Sequence, residues 1–399
     1  MTRFSPMRRA TMSITNLPQE ILDYIIDYLH DDYITLRSCG IVCRACISAS
    51  RHHLFHEIVL DTPSKAQAFY ALLCEAPYIG QLVRALSLTS FAFVGDRPAQ
   101  QTGTDRYISR IHPRLLTLLP RVQRLEIQCA EPKETAISHL VHAFPAVTDL
   151  SVRYCTFLNL QQFARLVQSF PLLSSLTTKR VCYTYTGDIR DKRIGGLDNV
   201  QAWPTMRSLR LETQSPIEDI FSLLAASRAS ESQIRNLTVS LASAKDVAAV
   251  GAFVMQAGHD LERYRVECFT DAHAGTLTLP PETSFSLKQC TRLKSFVLDC
   301  PIGYDQKLPW VADIFSRLNP ASLETVDMTV RLLGNIDAID WCSIGNTLSR
   351  KEFHNLHEVS TRIILWSPLS STADEIETKI RSELRELEEK GVHVRVHIQ

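Results

Sequence analysis

A short apolar pattern that returns along most of the chain constrains its fold more than any other feature: an apolar residue, two spacers, a second apolar residue, one spacer and a third. It reads Val83/Leu86/Leu88, Val122/Leu125/Ile127, Val147/Leu150/Val152, Met206/Leu209/Leu211, Ile234/Leu237/Val239, Leu261/Tyr264/Val266, Leu293/Phe296/Leu298 and Leu323/Val326/Met328. Leu173/Leu176 with Thr178 and Leu356/Val359 with Thr361 are weaker copies that fill gaps, each with threonine at the third position. Most successive copies lie about 25 to 33 residues apart, the spacing of stacked repeat architectures. Each ends in the period-two alternation of a strand, and most follow a helical segment and a turn, as in His139 to Pro145, Phe163 to Pro171 and Val311 to Pro320. Proline ends these helices because it lacks the amide donor and disfavours helical geometry in the residue before it. A unit of helix, turn and strand this small cannot bury its apolar face alone. The expected fold is therefore α/β, a solenoid with parallel strands on a concave side and helices on a convex side.

The pattern resembles the leucine-rich repeat family over roughly residues 75 to 370. It departs from the strict motif, since the asparagine or cysteine that follows the strand is met only by Cys155. Cys129, Cys268 and Cys300 fall one residue earlier and are read as small inward-facing core residues. Stretches 91–110, 183–203 and 270–289 exceed a tight connection and are expected to bulge as candidate recognition loops. After position 371 the chain carries a possible capping box, Thr372 with Glu375, and an apolar stripe at Ile376, Ile380, Leu384 and Leu387 ended by Gly391. With the strand Val392/Val394/Val396, this segment, 372–399, is expected to cap a solenoid spanning 61–371.

The N-terminal region has a different character. Leader 1–13 has Arg3, Arg8 and Arg9 but no apolar stretch of a secretory signal, and reads as a disordered tail. Residues 14–60 contain Leu17-Pro18-x-Glu20-Ile21-Leu22-x-x-Ile25-Ile26-x-x-Leu29, then a helical stretch around Leu36 to Ser50 with Val42-Cys43-Arg44, then Leu54-Phe55. Pro18 suits a first helical turn, and apolar residues cover more of the helix after it than one core face requires. In order and spacing these blocks resemble an F-box, with Cys46 where many members carry tryptophan. The resemblance implies a three-helix module that docks on the Skp-type adaptor of a cullin-RING ubiquitin ligase. It also implies that Leu17, Pro18, Ile21, Ile25, Leu36 and Val42 face the adaptor, and that Leu22, Ile26, Leu29 and Leu54 form the core.

Charge and motif content narrow the alternatives. With 43 basic residues against 43 acidic ones, the chain lacks the basic excess of a general nucleic-acid binder. No apolar run reaches membrane-spanning length, Val247 to Met255 being the longest. The scattered, odd-numbered set of 11 cysteines suits reduced thiols in a cytoplasmic or nuclear protein. Cys39, Cys43 and Cys46 share one face of the expected helix and read as core rather than as zinc ligands. The common hydrolase and nucleotide-binding motifs are absent, so neither a catalytic residue nor a cofactor is expected. Asn236-Leu237-Thr238 matches a glycosylation acceptor but lies inside a repeat strand.

The repeat spacers should alternate outward on the concave face, where Arg124, Glu126, Arg153, Arg210, Glu212, Arg263 and Arg265 are the candidate target-binding residues. Charges of both signs fit a polar protein surface better than a phosphate backbone. The expected role is a substrate-recognition subunit of the ligase, with an unknown target on the solenoid. The alternative is a non-catalytic leucine-rich scaffold whose F-box-like segment is an end cap, or binds the adaptor without delivering a target.

Overall fold

The computed structural model of the protein describes residues 17–89, 113–132, 134–184, 203–226, 233–268, 287–302, 308–365 and 372–399. The tail 1–13, the loop 91–110 and most of 183–203 and 270–289 lie outside the described residues. Three short helices, α1 (Gln19–Asp27), α2 (Tyr33–Val42) and α3 (Ile47–His56), open the chain. The strands that follow are β1 (Glu57–Leu60), β2 (Ala85–Thr89), β3 (Arg124–Gln128), β4 (Asp149–Arg153), β5 (Thr156–Phe157), β6 (Ser175–Lys179), β7 (Cys182–Tyr183), β8 (Ser208–Leu211), β9 (Asn236–Leu241), β10 (Arg263–Cys268), β11 (Ser295–Ile302), β12 (Thr325–Leu332), β13 (Glu358–Leu365) and β14 (His393–Ile398). Between them lie α4 (Pro63–Glu75), α5 (Pro113–Thr117), α6 (Glu134–Ala143), α7 (Leu160–Gln168), α8 (Ile217–Ala226), α9 (Ala244–Ala257), α10 (Pro309–Ser316), α11 (Trp341–Leu348), α12 (Ala373–Glu383) and α13 (Arg385–Glu389).

Among the described residues, β5 and β7 form a small sheet of their own, and all the other strands join one 12-stranded sheet in strict chain order. All of the pairings are parallel. The register aligns the apolar repeat with itself: Leu125 opposes Leu150, Leu150 opposes Leu176, Leu237 opposes Tyr264, and Tyr264 opposes Phe296. A one-residue slip would turn every one of these side chains to the other face. The three apolar positions of each full copy are buried in one continuous core. A second hydrogen-bond ladder runs just ahead of the strands, from the Arg84 amide to the His56 carbonyl at 2.9 Å, from Gln123 to Arg84 at 2.8 Å, and onward to His393 on His357 at 2.9 Å.

The helices start where side chains satisfy their free amides. Ser243 and Asp246 form a reciprocal capping box at α9, as do Thr372 and Glu375 at α12. Asn159 and Asp340 cap α7 and α11.

The structure corrects several sequence expectations. The helix expected from Leu36 to Ser50 breaks at Cys43, which is extended, and resumes at Ile47 after a 3-10 turn over Arg44–Cys46. Segment 57–60 is not part of the helical module: it is the first strand of the large sheet, reached directly from α3. Cys129 lies past the end of β3 with φ of 51° and is half-buried, whereas Cys268 and Cys300 are buried in the core. The thiol of Cys155 donates to the Arg153 carbonyl at 3.2 Å and reaches the Ile127 carbonyl of the preceding strand at 3.5 Å. The C-terminal stripe divides between α12 and α13 at Leu384, and β14 is a full member of the sheet.

The two aberrant threonines are both fully buried but differ in their surroundings. Thr178 Oγ1 donates to Ser215 Oγ at 2.9 Å, while Thr361 Oγ1 has no hydrogen-bond partner among the described residues. Replacing Thr361 with valine removes an unpaired buried hydroxyl at nearly constant volume. The unfolding free energy of Thr361→Val, measured by denaturant titration, is expected to rise by about 1 kcal/mol. An equal or lower stability would show that this hydroxyl is already satisfied.

Candidate docking surfaces

Helices α1 to α3 fold around a small core separate from that of the sheet: Leu22, Ile26, Leu36 and Cys46 are buried, with Leu17, Leu29, Cys39, Cys43, Ala49 and Leu54 packed against them. Asp32 starts α2 by accepting from the Thr35 amide at 3.0 Å and the Thr35 hydroxyl at 2.6 Å. Those hydrogen bonds hold its carboxyl below the usual range. Gln19 Nε2 donates to the Ala45 carbonyl at 2.9 Å, and His53 Nε2 lies 2.7 Å from Asp27 Oδ1, so α1 is tied to the 3-10 turn and to α3. Neighbouring residues of α3 serve different cores, Leu54 the small one and Phe55 the large one.

The surface of this module is unusually apolar. On α1, Pro18 is exposed ahead of the helix, Ile21 and Ile25 are 46% and 44% exposed, and Tyr24 and Tyr28 are exposed beside them. On α2, Ile34 and Ile41 are each 81% exposed and Val42 is 82% exposed. Monomeric proteins seldom leave so many large apolar side chains in water without a partner. Leu36, placed on the adaptor-facing surface by the resemblance, is fully buried instead, and Leu17 is half-buried against the small core.

Sequence reasoning missed Ile34 and Ile41, although a helical wheel separates them. At about 100° per residue, Ile41 falls within about 20° of Ile34, while Leu36 lies about 200° away, on the opposite side of the helix. The three cysteines Cys39, Cys43 and Cys46 meet in the small core, and among the described residues no group of His, Cys, Asp and Glu is arranged to hold a metal ion. Backbone amides of Ala45 and Cys46 lower the pKa of Cys43, whereas burial raises that of Cys46.

The second surface is the face of the sheet opposite its core, where most of the repeat spacers stand half-buried or exposed. Most of the charges expected there are ion-paired, some along their own strand and some across to the next. Arg153 Nε lies 3.3 Å from Glu126, and Glu212 lies between Lys179 at 3.5 Å and Arg210 at 3.6 Å. Arg265 bridges Glu267 at 2.9 Å and Asp299 at 3.8 Å, and Arg331 holds the other side of Asp299 at 2.5 Å. Arg124 and Arg263 are exposed, and among the described residues neither has a carboxylate within 4 Å. Glu267 and Asp299, outward spacers of the same alternation, belong to this surface, as do Lys179 and Arg331, which were not singled out from sequence. Burial, with the Glu358 carboxylate as the second cause, pushes Asp327 above the ordinary carboxylate range.

No disulfide joins any of the 11 cysteines, and burial pushes the thiols of Cys290 and Cys300 up to about 12. No helix among the described residues is long and apolar enough to cross a membrane.

No known family model matches the chain. The apo-structure of D-lactate dehydrogenase from Escherichia coli aligns with 85% of this chain and 87% of its own at 10% identity, but the TM-score of 0.20 is too low to carry any argument. A stretch of 100 residues is 29% identical to the F-box protein COS111 of Candida albicans (strain SC5314 / ATCC MYA-2876), covering 25% of this chain. This chain spans about 13% of the length of that protein, so the likeness is to part of an F-box protein.

Proposed function

We propose that the chain is a non-catalytic substrate-recognition subunit of a cullin-RING ubiquitin ligase that works in the cytoplasm or nucleus. In this reading α1 and α2 dock a Skp-type adaptor, and the open face of the repeat sheet holds the target protein. The observation that carries it is the water-exposed apolar set Pro18, Ile21, Ile25, Ile34, Ile41 and Val42 on a module with its own small core. An end cap would turn such residues inward against the sheet, and the exposure of these residues favours docking over capping. The partial likeness to an F-box protein supports the same partner class.

The mechanism needs no chemistry from this chain. Holding a target beside a ubiquitin-charged enzyme replaces a bimolecular encounter with a nearly intramolecular one. The direct entry of α3 into β1, without an intervening linker, supports a receptor that presents its target in a defined orientation.

The test is capture of a purified Skp-type adaptor by wild-type chain and by a variant carrying Leu17→Ala, Pro18→Ala and Ile21→Ala. Recovery of adaptor by the wild type and its loss in the variant is the expected result. Equal recovery by both, or no recovery by either, removes the adaptor assignment. Proteins captured through the sheet should then gain ubiquitin when all ligase components are supplied.

A further inference from the structure

The backbone departs from ordinary geometry at one place in four successive turns of the repeat. Cys129, Tyr154, Arg180 and Gln214 follow β3, β4, β6 and β8, and all have positive φ, at 51°, 55°, 49° and 57°. None is glycine, so each holds a conformation that its Cβ disfavours. Cross-strand hydrogen bonds impose it: the Cys129 amide donates to the Arg153 carbonyl at 2.9 Å, Tyr154 to Lys179 at 2.7 Å, and Arg180 to Thr213 at 2.9 Å. Glycine would satisfy the same backbone with less strain, so the side chains at these positions need a reason other than folding.

Their surroundings supply one. Lys179 Nζ lies 6.0 Å and Arg180 Cζ 5.6 Å from the centroid of the Tyr154 ring, which gathers two cations on one aromatic group. Arg153 stands opposite Lys179 in the register, and Arg210 is on the next strand. Among the described residues two carboxylates stand against these cations, both engaged: Glu126 by Arg153, Ser87 and Gln128, and Glu212 by Lys179 and Arg210. Arg180 is exposed, with no carboxylate within 4 Å among the described residues. Counted over the described residues, the ends of β4, β6 and β8 therefore carry a local positive excess on a chain whose formal net charge is +0.

We propose that Arg153, Tyr154, Lys179, Arg180 and Arg210 form a docking surface for an acidic peptide segment lying across the ends of β4, β6 and β8. This rests on the reading that the sheet holds a target, and it names the chemistry of what is held. Two strand spacings cover roughly 10 Å, the length of about three extended residues. A patch of that size matches two or three carboxylates of a peptide. A nucleic acid backbone would ask for a longer basic track, which a neutral chain with laterally paired charges does not offer.

The experiment is fluorescence anisotropy of the full chain with a fluorescein-labelled peptide rich in Glu and Asp, beside a Lys-rich peptide and a labelled single-stranded oligonucleotide of matched length. The acidic peptide is expected to bind best, and more weakly as salt rises. Arg180→Gly and Arg180→Glu are each expected to weaken it about tenfold or more, while Lys245→Glu, on the exposed surface of α9, leaves it unchanged. Arg180→Gly also suits the positive φ, so its melting temperature should equal or exceed that of the wild type, which separates lost binding from lost folding. Equal affinity of wild type and both Arg180 variants, failure of the acidic peptide to bind, or preference for the oligonucleotide overturns the proposal. Adaptor capture by Arg180→Gly should match the wild type, and the variant of Leu17, Pro18 and Ile21 should still bind the peptide, so either surface can fail without the other.

Discussion

Replacing Ile34 and Ile41 together by serine is expected to weaken adaptor binding about a hundredfold or more while leaving the melting temperature of the chain nearly unchanged. Both side chains are mostly in water in the free protein, so their loss removes little from the fold. In a docked complex each would be worth about 1.5–3 kcal/mol if fully covered. Together that is about 3–6 kcal/mol, and the lower end, about 3 kcal/mol, already corresponds to more than a hundredfold in affinity. Leu36→Ala should behave in the opposite way. That side chain is fully buried in the small core, and its truncation should cost about 2–5 kcal/mol of stability. Titration calorimetry with purified adaptor, beside thermal melts of the same preparations, separates the two effects. Full affinity in the double variant would mean that this face of α2 is not the docking surface, and would leave the exposed residues of α1 as the remaining candidate.

That contrast between Ile34 and Leu36 shows where sequence reading stops. The repeat was legible because its apolar positions answer to one constraint, burial on one side of a strand, and even Thr178 and Thr361 occupy the inward positions their spacing implied. On α2 the same inference is ambiguous, because Ile34, Leu36, Ile41 and Val42 include both core and surface residues. Only the packing of α3 and the turn over Arg44–Cys46 against α2 decides which side faces inward. The break at Cys43 carries no glycine or proline to announce it. The membership of β1 in the sheet depends on pairing with β2, a partner distant in sequence.

On the open sheet face, alternation correctly turned Arg124, Glu126, Arg153, Arg210, Glu212, Arg263 and Arg265 away from the core. It could not distinguish a charge neutralised by the next strand from one left accessible, because that depends on register between repeats of unequal length. Arg265 is held between Glu267 and Asp299, while Arg263, two residues earlier, stands exposed. Positive φ at Tyr154 and Arg180 was equally hidden, since nothing in the local sequence favours it.

The turn between α4 and β2 yields the second large expectation. Gly80 lies in the 3-10 turn Pro77–Gln81 that leads from α4 toward β2, and a Cβ there would stand 2.0 Å from the carbonyl oxygen of Leu118 and 3.2 Å from its carbon. Both obstructing atoms belong to the backbone, so no side-chain rotation relieves the clash. Gly80→Ala is therefore expected to cost about 2–4 kcal/mol, beyond the range of ordinary surface substitutions. Gly40, inside α2, is a useful opposite. Its added Cβ would meet only the Ser50 Cβ at 3.7 Å, an ordinary contact. Removing a flexible residue from the helix interior should then stabilise the chain by about 0.5–1 kcal/mol. Denaturant titrations of the two variants should move in opposite directions from the wild type. A Gly80→Ala protein as stable as the wild type would mean that the segment around Leu118 can recede, and that the turn is not pinned between α4 and the sheet.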